Sequence, residues 1–129
     1  MVDNNTVSIT SITKGKVPDL PFSVIKDSIL GKKYELSLVF SDKKTIQKLN
    51  IQYRNMDYVP NILSFPYSKQ SGEIFIHLPT AKKQAPDFEM EFREYVLFLF
   101  IHGCLHLKGM EHSSTMESKE KEILKKYYS

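Results

Sequence analysis

The sequence contains a single cysteine, Cys104, among its 129 residues, which excludes an internal disulfide framework. Its hydrophobic run at residues 96–101 is far too short to cross a bilayer. Residues 1–5 include neither a basic start nor an apolar segment, so we expect no signal peptide. These absences predict a cytoplasmic protein without a membrane partner.

Charge of one sign is also scarce, because 18 basic and 15 acidic side chains leave a net charge of only +3. The lysine pairs Lys43-Lys44, Lys82-Lys83 and Lys125-Lys126 are scattered along the chain, as expected of a solvated surface. This mildly basic balance is compatible with a nucleic-acid partner but does not indicate one. With 41% hydrophobic residues and no visible repeat or linker, the chain is predicted to form one globular domain over residues 1–129.

Histidine is scarce along most of the chain, yet three of the four histidines fall between residues 102 and 112. His102 and His106 are four residues apart, so on a helix they project from one face. Gly109 can adopt the left-handed conformation that ends a helix, and the resulting turn can bring back His112. Three imidazoles with an open fourth position are typical of a catalytic zinc site. We therefore predict one Zn²⁺ per chain at these three histidines, although imidazole also suits nickel, copper and iron.

Cys104 and the remaining histidine, His77, have simpler interpretations. Cys104 lies two residues from each helical histidine, so it points away from both and is predicted to be a small core residue. His77 falls in a predicted strand, where we expect a surface or rim position and no ligand role. The alternative to a metal site is a helix that happens to end in a histidine-rich turn.

The pattern of apolar residues predicts a chain that mixes strands and helices. Pro60 and Pro66 bound one short strand, Gly31 ends the first helix, and Ser41 or Asp42 can cap the second. The predicted elements are strand 7–13, helix Phe22–Leu30, strand 34–40, helix Lys43–Arg54, strand 61–65 and strand 72–78.

A long helix is predicted over residues 88–107, with Asp87 as its N-cap, followed by an amphipathic helix over residues 116–128. The long helix is apolar on most sides, so we expect it to be central and to hold the metal ligands rigidly. The predicted fold is a single α+β domain in which helices pack on a mixed sheet of about four strands.

The histidine motif differs at one position from the zinc-protease pattern, in which a glutamate follows the first histidine as general base. Here that position is Gly103, so the peptidase hypothesis lacks its proton acceptor. The variant His-Gly-x-Leu-His-Leu-x-Gly-x-x-His resembles the motif of the YbeY family of bacterial endoribonucleases.

The resemblance extends over residues 49–112, where further blocks occur in the family's order. The sequence departs from the family's usual residues at Pro60, Asn61, Glu73 and the pair Met110-Glu111. The similar blocks are Leu49-Asn50-Ile51-Gln52-Tyr53-Arg54, Asn61-Ile62-Leu63-Ser64-Phe65-Pro66, Gly72-Glu73-Ile74-Phe75-Ile76 and Gln84-Ala85.

The resemblance implies a zinc-dependent, single-strand-specific endoribonuclease that acts in ribosomal RNA maturation and ribosome quality control. It implies single-stranded or ribosomal RNA as partner, with the ribosome or its proteins, and no DNA. It also places Arg54 in the active-site cleft, where a guanidinium suits phosphate. Glu111 is a candidate base or partner of a histidine, and equally a solvated carboxylate. Ser64 is a candidate for the cleft wall.

Two other hypotheses stay open. One is a metal-dependent peptidase or other hydrolase that uses the same histidines. The other is a non-catalytic ribosome-associated factor in which the zinc is structural, because the sequence shows no clear general base.

Overall fold

The computed structural model describes residues 7–13 and 16–128, which form a single α+β domain. Its elements, with a 3-10 turn at Ala85–Phe88, are β1 (Val7–Ser11), α1 (Phe22–Leu30), β2 (Glu35–Phe40), α2 (Lys43–Arg54), β3 (Ile62–Ser68), β4 (Ser71–Ile76), α3 (Leu78–Gln84), α4 (Phe92–Lys108) and α5 (Ser114–Tyr127). No helix in the described ranges combines the length and apolar character needed to cross a membrane.

The four strands form one mixed sheet in the order β1-β2-β4-β3, which confirms the predicted sheet. β1 and β4 both pair with β2 in parallel, whereas β3 pairs with β4 in antiparallel. The prediction that Pro66 ends a strand is wrong, since β3 continues through Pro66 to Ser68. β3 is an edge strand that pairs only with β4, so the missing N–H of the proline leaves no hydrogen bond to a second strand unmade. The register of pairing with β4 shifts between Pro66 and Ser68.

The long helix is central, as predicted, because α4 contacts α1, α3, α5 and the strands β3 and β4. Cys104 on this helix is fully buried, which confirms its prediction as a core residue, and burial raises the pKa of its thiol. The buried residues of α4 are Tyr95, Val96, Leu97, Leu99, Phe100, Ile101, Gly103, Cys104 and Leu105.

The start of this helix differs from the prediction, because Asp87 is not its N-cap. Residues 78–88 form α3 and the 3-10 turn instead, and Glu89 ends that turn in the left-handed conformation, with φ of 56°. α4 begins at Phe92, where Glu91 and Glu94 form a reciprocal capping box. Phe88 therefore lies outside the helix, with 53% of its surface exposed.

His77 is the third correction, since it was predicted at the surface or rim of a strand. β4 ends at Ile76, and His77 lies buried immediately before α3, with 7% of its surface exposed. Its Nδ1 is 2.7 Å from the hydroxyl of Thr80. Burial lowers the pKa of His77 below its ordinary value. The other predicted boundaries agree with the structure to within two residues.

Candidate metal centre

Three imidazoles converge where α4 ends. The Nε2 atoms of His102 and His106 are 3.0 Å apart, and one ring nitrogen from each of the three histidines lies within 4.8 Å of the others. Gly109 caps α4 with φ of 108°, and its N–H donates to the carbonyls of Leu105 and His106. This left-handed turn reverses the chain and returns His112 to the helical pair, as the spacing predicts.

A buried carboxylate fixes the orientation of His102. Nδ1 of His102 contacts Oε2 of Glu120, which lies on α5. Only 5% of the surface of Glu120 is exposed. With Nδ1 held by the carboxylate, Nε2 faces the other two histidines. A carboxylate behind a histidine in this way selects its tautomer and raises its basicity as a metal ligand.

Sequence reasoning missed Glu120, although a signal was present. Met116, Glu120, Ile123 and Leu124 are all buried and fall at the spacing of a single helical face. An acidic residue inside an apolar stripe needs a partner in the folded protein, because a buried charge is otherwise unfavourable. The stripe indicates that Glu120 is paired, but only the packing of α5 on α4 identifies His102 as the partner.

His106 is held from behind by the backbone. Its Nδ1 lies 3.1 Å from the carbonyl oxygen of Met110, a contact created by the turn at Gly109. Burial lowers the pKa of His106 below its ordinary value, and the nearby His102 lowers it further. Both effects favour the neutral imidazole, which is the form that binds a metal ion.

A cavity of about 680 Å³, here called the histidine cavity, is lined by all three histidines and by Arg54. Arg54 is the last residue of α2, and its Nη1 donates to Oδ1 of Asn50 at 3.3 Å. Asn50 is fully buried and donates to the carbonyls of Met56 and Tyr58, which anchors this end of the helix. The other lining residues are Tyr53, Tyr58, Asn61, Ile62, Leu63, Ser64 and Phe65.

Gly103 packs closely against the ends of three side chains of the sheet, so a larger residue here would require those ends to shift. A Cβ at this position would lie 2.9 Å from Cδ1 of Ile74 and 3.0 Å from both Cδ1 of Ile62 and Oγ of Ser64. In zinc proteases the residue at this position is the glutamate that acts as general base, whereas in this protein it is a glycine on which the sheet packs.

Glu111 lies on the exposed loop between Gly109 and His112. Its backbone carbonyl accepts a hydrogen bond from the hydroxyl of Ser113 at 3.2 Å. Among the described residues, Glu111 is not one of those that line the histidine cavity. The partner of His102 is Glu120, and the partner of His106 is a backbone carbonyl.

The donor set fits a zinc ion. Three imidazole nitrogens converge, two of the rings are held from behind through Nδ1, and the cavity leaves room for a further ligand. This combination is typical of zinc sites that act on a substrate.

Comparison with known proteins gives consistent matches over most of the chain. A family model described as Endoribonuclease YbeY matches residues 4–128. The Endoribonuclease YbeY of Neorickettsia sennetsu is 40% identical over 107 residues, covering 74% of this chain and 75% of that protein. The Endoribonuclease YbeY of Petrotoga mobilis is 30% identical, covering 96% and 90%. The solution structure of TM1509 from Thermotoga maritima has a similar fold, with a TM-score of 0.65, 24% identity and coverage of 95% and 89%.

Proposed function

This chain belongs to the YbeY family, and from that premise we propose that it is a zinc-dependent endoribonuclease that cleaves single-stranded RNA. We further propose that it acts in the cytoplasm, in ribosomal RNA maturation and ribosome quality control, with the ribosome as partner and without DNA as substrate. The observation that carries the proposal is the shared cavity, in which three convergent imidazoles face the same space as one guanidinium.

A Zn²⁺ ion held by His102, His106 and His112 would supply a Lewis acid for phosphodiester hydrolysis. Glu120 supports this role because it keeps the Nε2 of His102 directed towards the other two ligands. Arg54 offers a planar set of donors that matches two phosphate oxygens, so it binds the phosphate and stabilises the charge that develops on it.

Glu111 is proposed as the proton acceptor of the reaction. It lies immediately before His112 on an exposed loop, so its carboxylate is accessible to water. The alternative role of orienting a histidine is performed for His102 by Glu120. Gly103 disfavours the peptidase hypothesis, because the position that carries the general-base glutamate in zinc proteases has no carboxylate here and instead packs closely on the sheet.

The test combines metal content with cleavage of a single-stranded RNA, its duplex and a DNA strand of the same sequence. The wild type is expected to hold about one zinc per chain, as three imidazole ligands predict, and to cleave only the single-stranded RNA. His106→Ala is expected to lose both zinc and cleavage. Arg54→Lys is expected to keep zinc but to lower kcat by about 100-fold, as the loss of one donor to a developing charge does elsewhere.

Arg93→Lys is the matched control, since the guanidinium of Arg93 donates to the carbonyl of Asp19 and lies outside the residues that line the cavity. Full zinc occupancy in His106→Ala would contradict the ligand assignment. Cleavage of casein but not of RNA would favour the peptidase hypothesis. RNA cleavage that persists after chelation would contradict the metal dependence.

A further inference from the structure

A second cavity, of about 450 Å³, meets the histidine cavity at the metal centre, because His102, His112, Asn61 and Ile62 line both. We call it the aromatic cavity. The rest of its wall is largely apolar and consists of Phe88, Met90, Tyr95, Phe98, Leu99, Leu124 and the polar residues Glu117, Glu120 and Lys121.

A row of stacked rings runs along this wall to the first histidine. Phe88 stacks on Tyr95, with centroids 5.1 Å apart and an interplanar angle of 25°. Tyr95 stacks on Phe98 at 6.1 Å and 18°, and Phe98 lies 6.4 Å from the ring of His102. The outermost ring, Phe88, is 53% exposed, whereas Tyr95 behind it is 1% exposed. The row therefore presents an accessible aromatic face at one end and the metal centre at the other.

Charge distinguishes the two cavities. The described residues that line the histidine cavity include Arg54 and no carboxylate, so that cavity suits a phosphate. The wall of the aromatic cavity includes the carboxylates of Glu117 and Glu120 and the ammonium of Lys121, and the Glu120 carboxylate contacts Nδ1 of His102. These side chains leave no surplus of positive charge to attract a phosphate. The group that fits the aromatic cavity is consequently flat, uncharged and able to stack. Glu117 and Lys121 add one acceptor and one donor, which are the groups that contact the edge of a base.

We propose that the aromatic cavity is a nucleobase subsite, in which an unpaired base next to the scissile phosphate stacks on Phe88. The inference rests on the proposed endoribonuclease function and deepens it, because it gives a physical origin for the preference for single strands. A base in a duplex is paired and stacked on its neighbours, whereas an unpaired base can turn out and stack on an aromatic side chain.

The first test measures kcat/KM for Phe88→Ala on a single-stranded RNA and on copies with one abasic nucleotide placed in turn on each side of the cleavage site. On the intact RNA, Phe88→Ala is expected to lower kcat/KM about tenfold, within the range that base stacking gives by alanine substitution. At one of the two flanking positions, the abasic nucleotide should lower kcat/KM of the wild type by a similar factor. For Phe88→Ala, kcat/KM on that abasic RNA should be no lower than on the intact RNA. Tyr67→Ala is the control, because Tyr67 is 64% exposed and outside the lining of both cavities, and it should match the wild type.

The second test is independent of cleavage. The chain has no tryptophan, so Phe88→Trp introduces one indole at the cavity. Its emission is expected to change on addition of single-stranded RNA, and much less with the RNA that is abasic at the identified position. Phe88→Trp should also keep near-wild-type kcat/KM, whereas Phe88→Leu, which keeps apolar volume without a ring, should resemble Phe88→Ala.

The outcomes separate the two proposals. If the wild type cleaves RNA but Phe88→Ala loses the same factor on every substrate, Phe88 acts through the fold and the base subsite is wrong. Unchanged kinetics of Phe88→Ala, or indole emission that does not respond to RNA, would also overturn it. If the wild type cleaves no RNA, the proposed function itself fails, and the base subsite fails with it.

Discussion

At the scale of single residues, Glu120 shows how a helix far along the chain contributes to the metal centre. The carboxylate is almost fully buried, a state that is unfavourable unless the charge is paired. Its pairing with Nδ1 of His102 meets that requirement and at the same time directs Nε2 of the ring towards the other ligands. One contact therefore stabilises the packing of α5 on α4 and orders the metal centre.

Glu120→Gln is predicted to weaken zinc binding while the protein stays folded. The amide keeps the size of the side chain and an oxygen that can accept from Nδ1–H, but it removes the negative charge. The affinity for zinc should therefore fall about tenfold, the lower end of the range for residues that hydrogen-bond a metal-binding histidine. Competition with a chelator of known affinity measures the change. Glu122→Gln is the matched control, because Glu122 lies on the same helix but is exposed and paired only loosely with Lys119, at 3.7 Å. Equal zinc affinity in the two variants would contradict the role of Glu120.

His77 predicts a pH dependence of stability that does not involve the metal centre. Burial holds the pKa of the folded-state imidazole below its ordinary value of 6.5, so the unfolded chain takes up the proton first as the pH falls. The contribution of His77 is therefore present above pH 6.5 and is lost as the pH falls from there towards the folded pKa.

His77→Asn should remove this dependence, while asparagine remains suited to the start of α3. Between about pH 7 and pH 5, the free energy of unfolding of the wild type should fall more steeply than that of the variant, by up to about 1.4 kcal/mol per pH unit for one proton. Urea unfolding across this range gives both slopes. Parallel curves would show that His77 titrates alike in both states.

At the scale of elements, the sequence predicts best where local signals act alone. The helix α2 is predicted with its observed bounds, because Ser41 or Asp42 offers an N-cap directly before a clear amphipathic pattern. The segment 78–91 is predicted poorly, because α3 has only seven residues and begins with a proline in its first turn. So short a helix has little stability of its own and forms through tertiary contacts that periodicity does not reveal.

The candidate site divides in the same way. His102, His106, Gly109 and His112 lie within one short segment, so helix geometry and one glycine turn suffice to predict their convergence. Glu120 belongs to another helix, and its partnership with His102 depends on how α5 packs. The place of Arg54 in the cavity likewise follows from tertiary packing, and the sequence suggests it only through the family resemblance.

Gly109→Ala is predicted to affect both stability and zinc affinity, because the turn that returns His112 depends on a left-handed residue. Alanine at φ of 108° is strained, at a cost of about 1–2 kcal/mol in the free energy of unfolding. Any relaxation of the turn moves His112 away from the helical pair, so zinc affinity should fall as well.

Gly31→Ala is the control for Gly109→Ala, because Gly31 ends α1 with a comparable φ of 94° and an added Cβ meets no atom within 4 Å at either glycine. Both variants should lose stability in thermal unfolding, but only Gly109→Ala should also bind zinc more weakly in the chelator competition. A loss of zinc affinity in Gly31→Ala of the same size would show that global destabilisation, and not the position of His112, is responsible.

At the scale of the whole molecule, the metal centre joins parts of the fold that are distant in sequence. α4 supplies two of the three candidate ligands, the turn after it supplies the third, α5 supplies the carboxylate that contacts His102, and α2 supplies Arg54. Two of the three candidate ligands lie on the central helix, which is packed on several sides, so the folded chain holds them close together. An unfolded chain has no such arrangement, and zinc binding should therefore favour the folded state.

Zinc is accordingly predicted to raise the melting temperature, by an amount that grows with the logarithm of the ratio of free zinc to Kd. At a free zinc concentration of 100 times Kd, the free energy of unfolding should rise by about 2.7 kcal/mol. For a domain of this size that corresponds to roughly 10 °C in Tm, measurable by differential scanning calorimetry before and after chelation. His106→Ala should show no such shift, whereas His77→Asn should keep it, because His77 lies outside the group of three histidines. His106→Ala leaves only two imidazoles, which lack the third ligand on which the affinity of the site depends. An equal rise in Tm in this variant would therefore mean that zinc binds and stabilises the protein elsewhere.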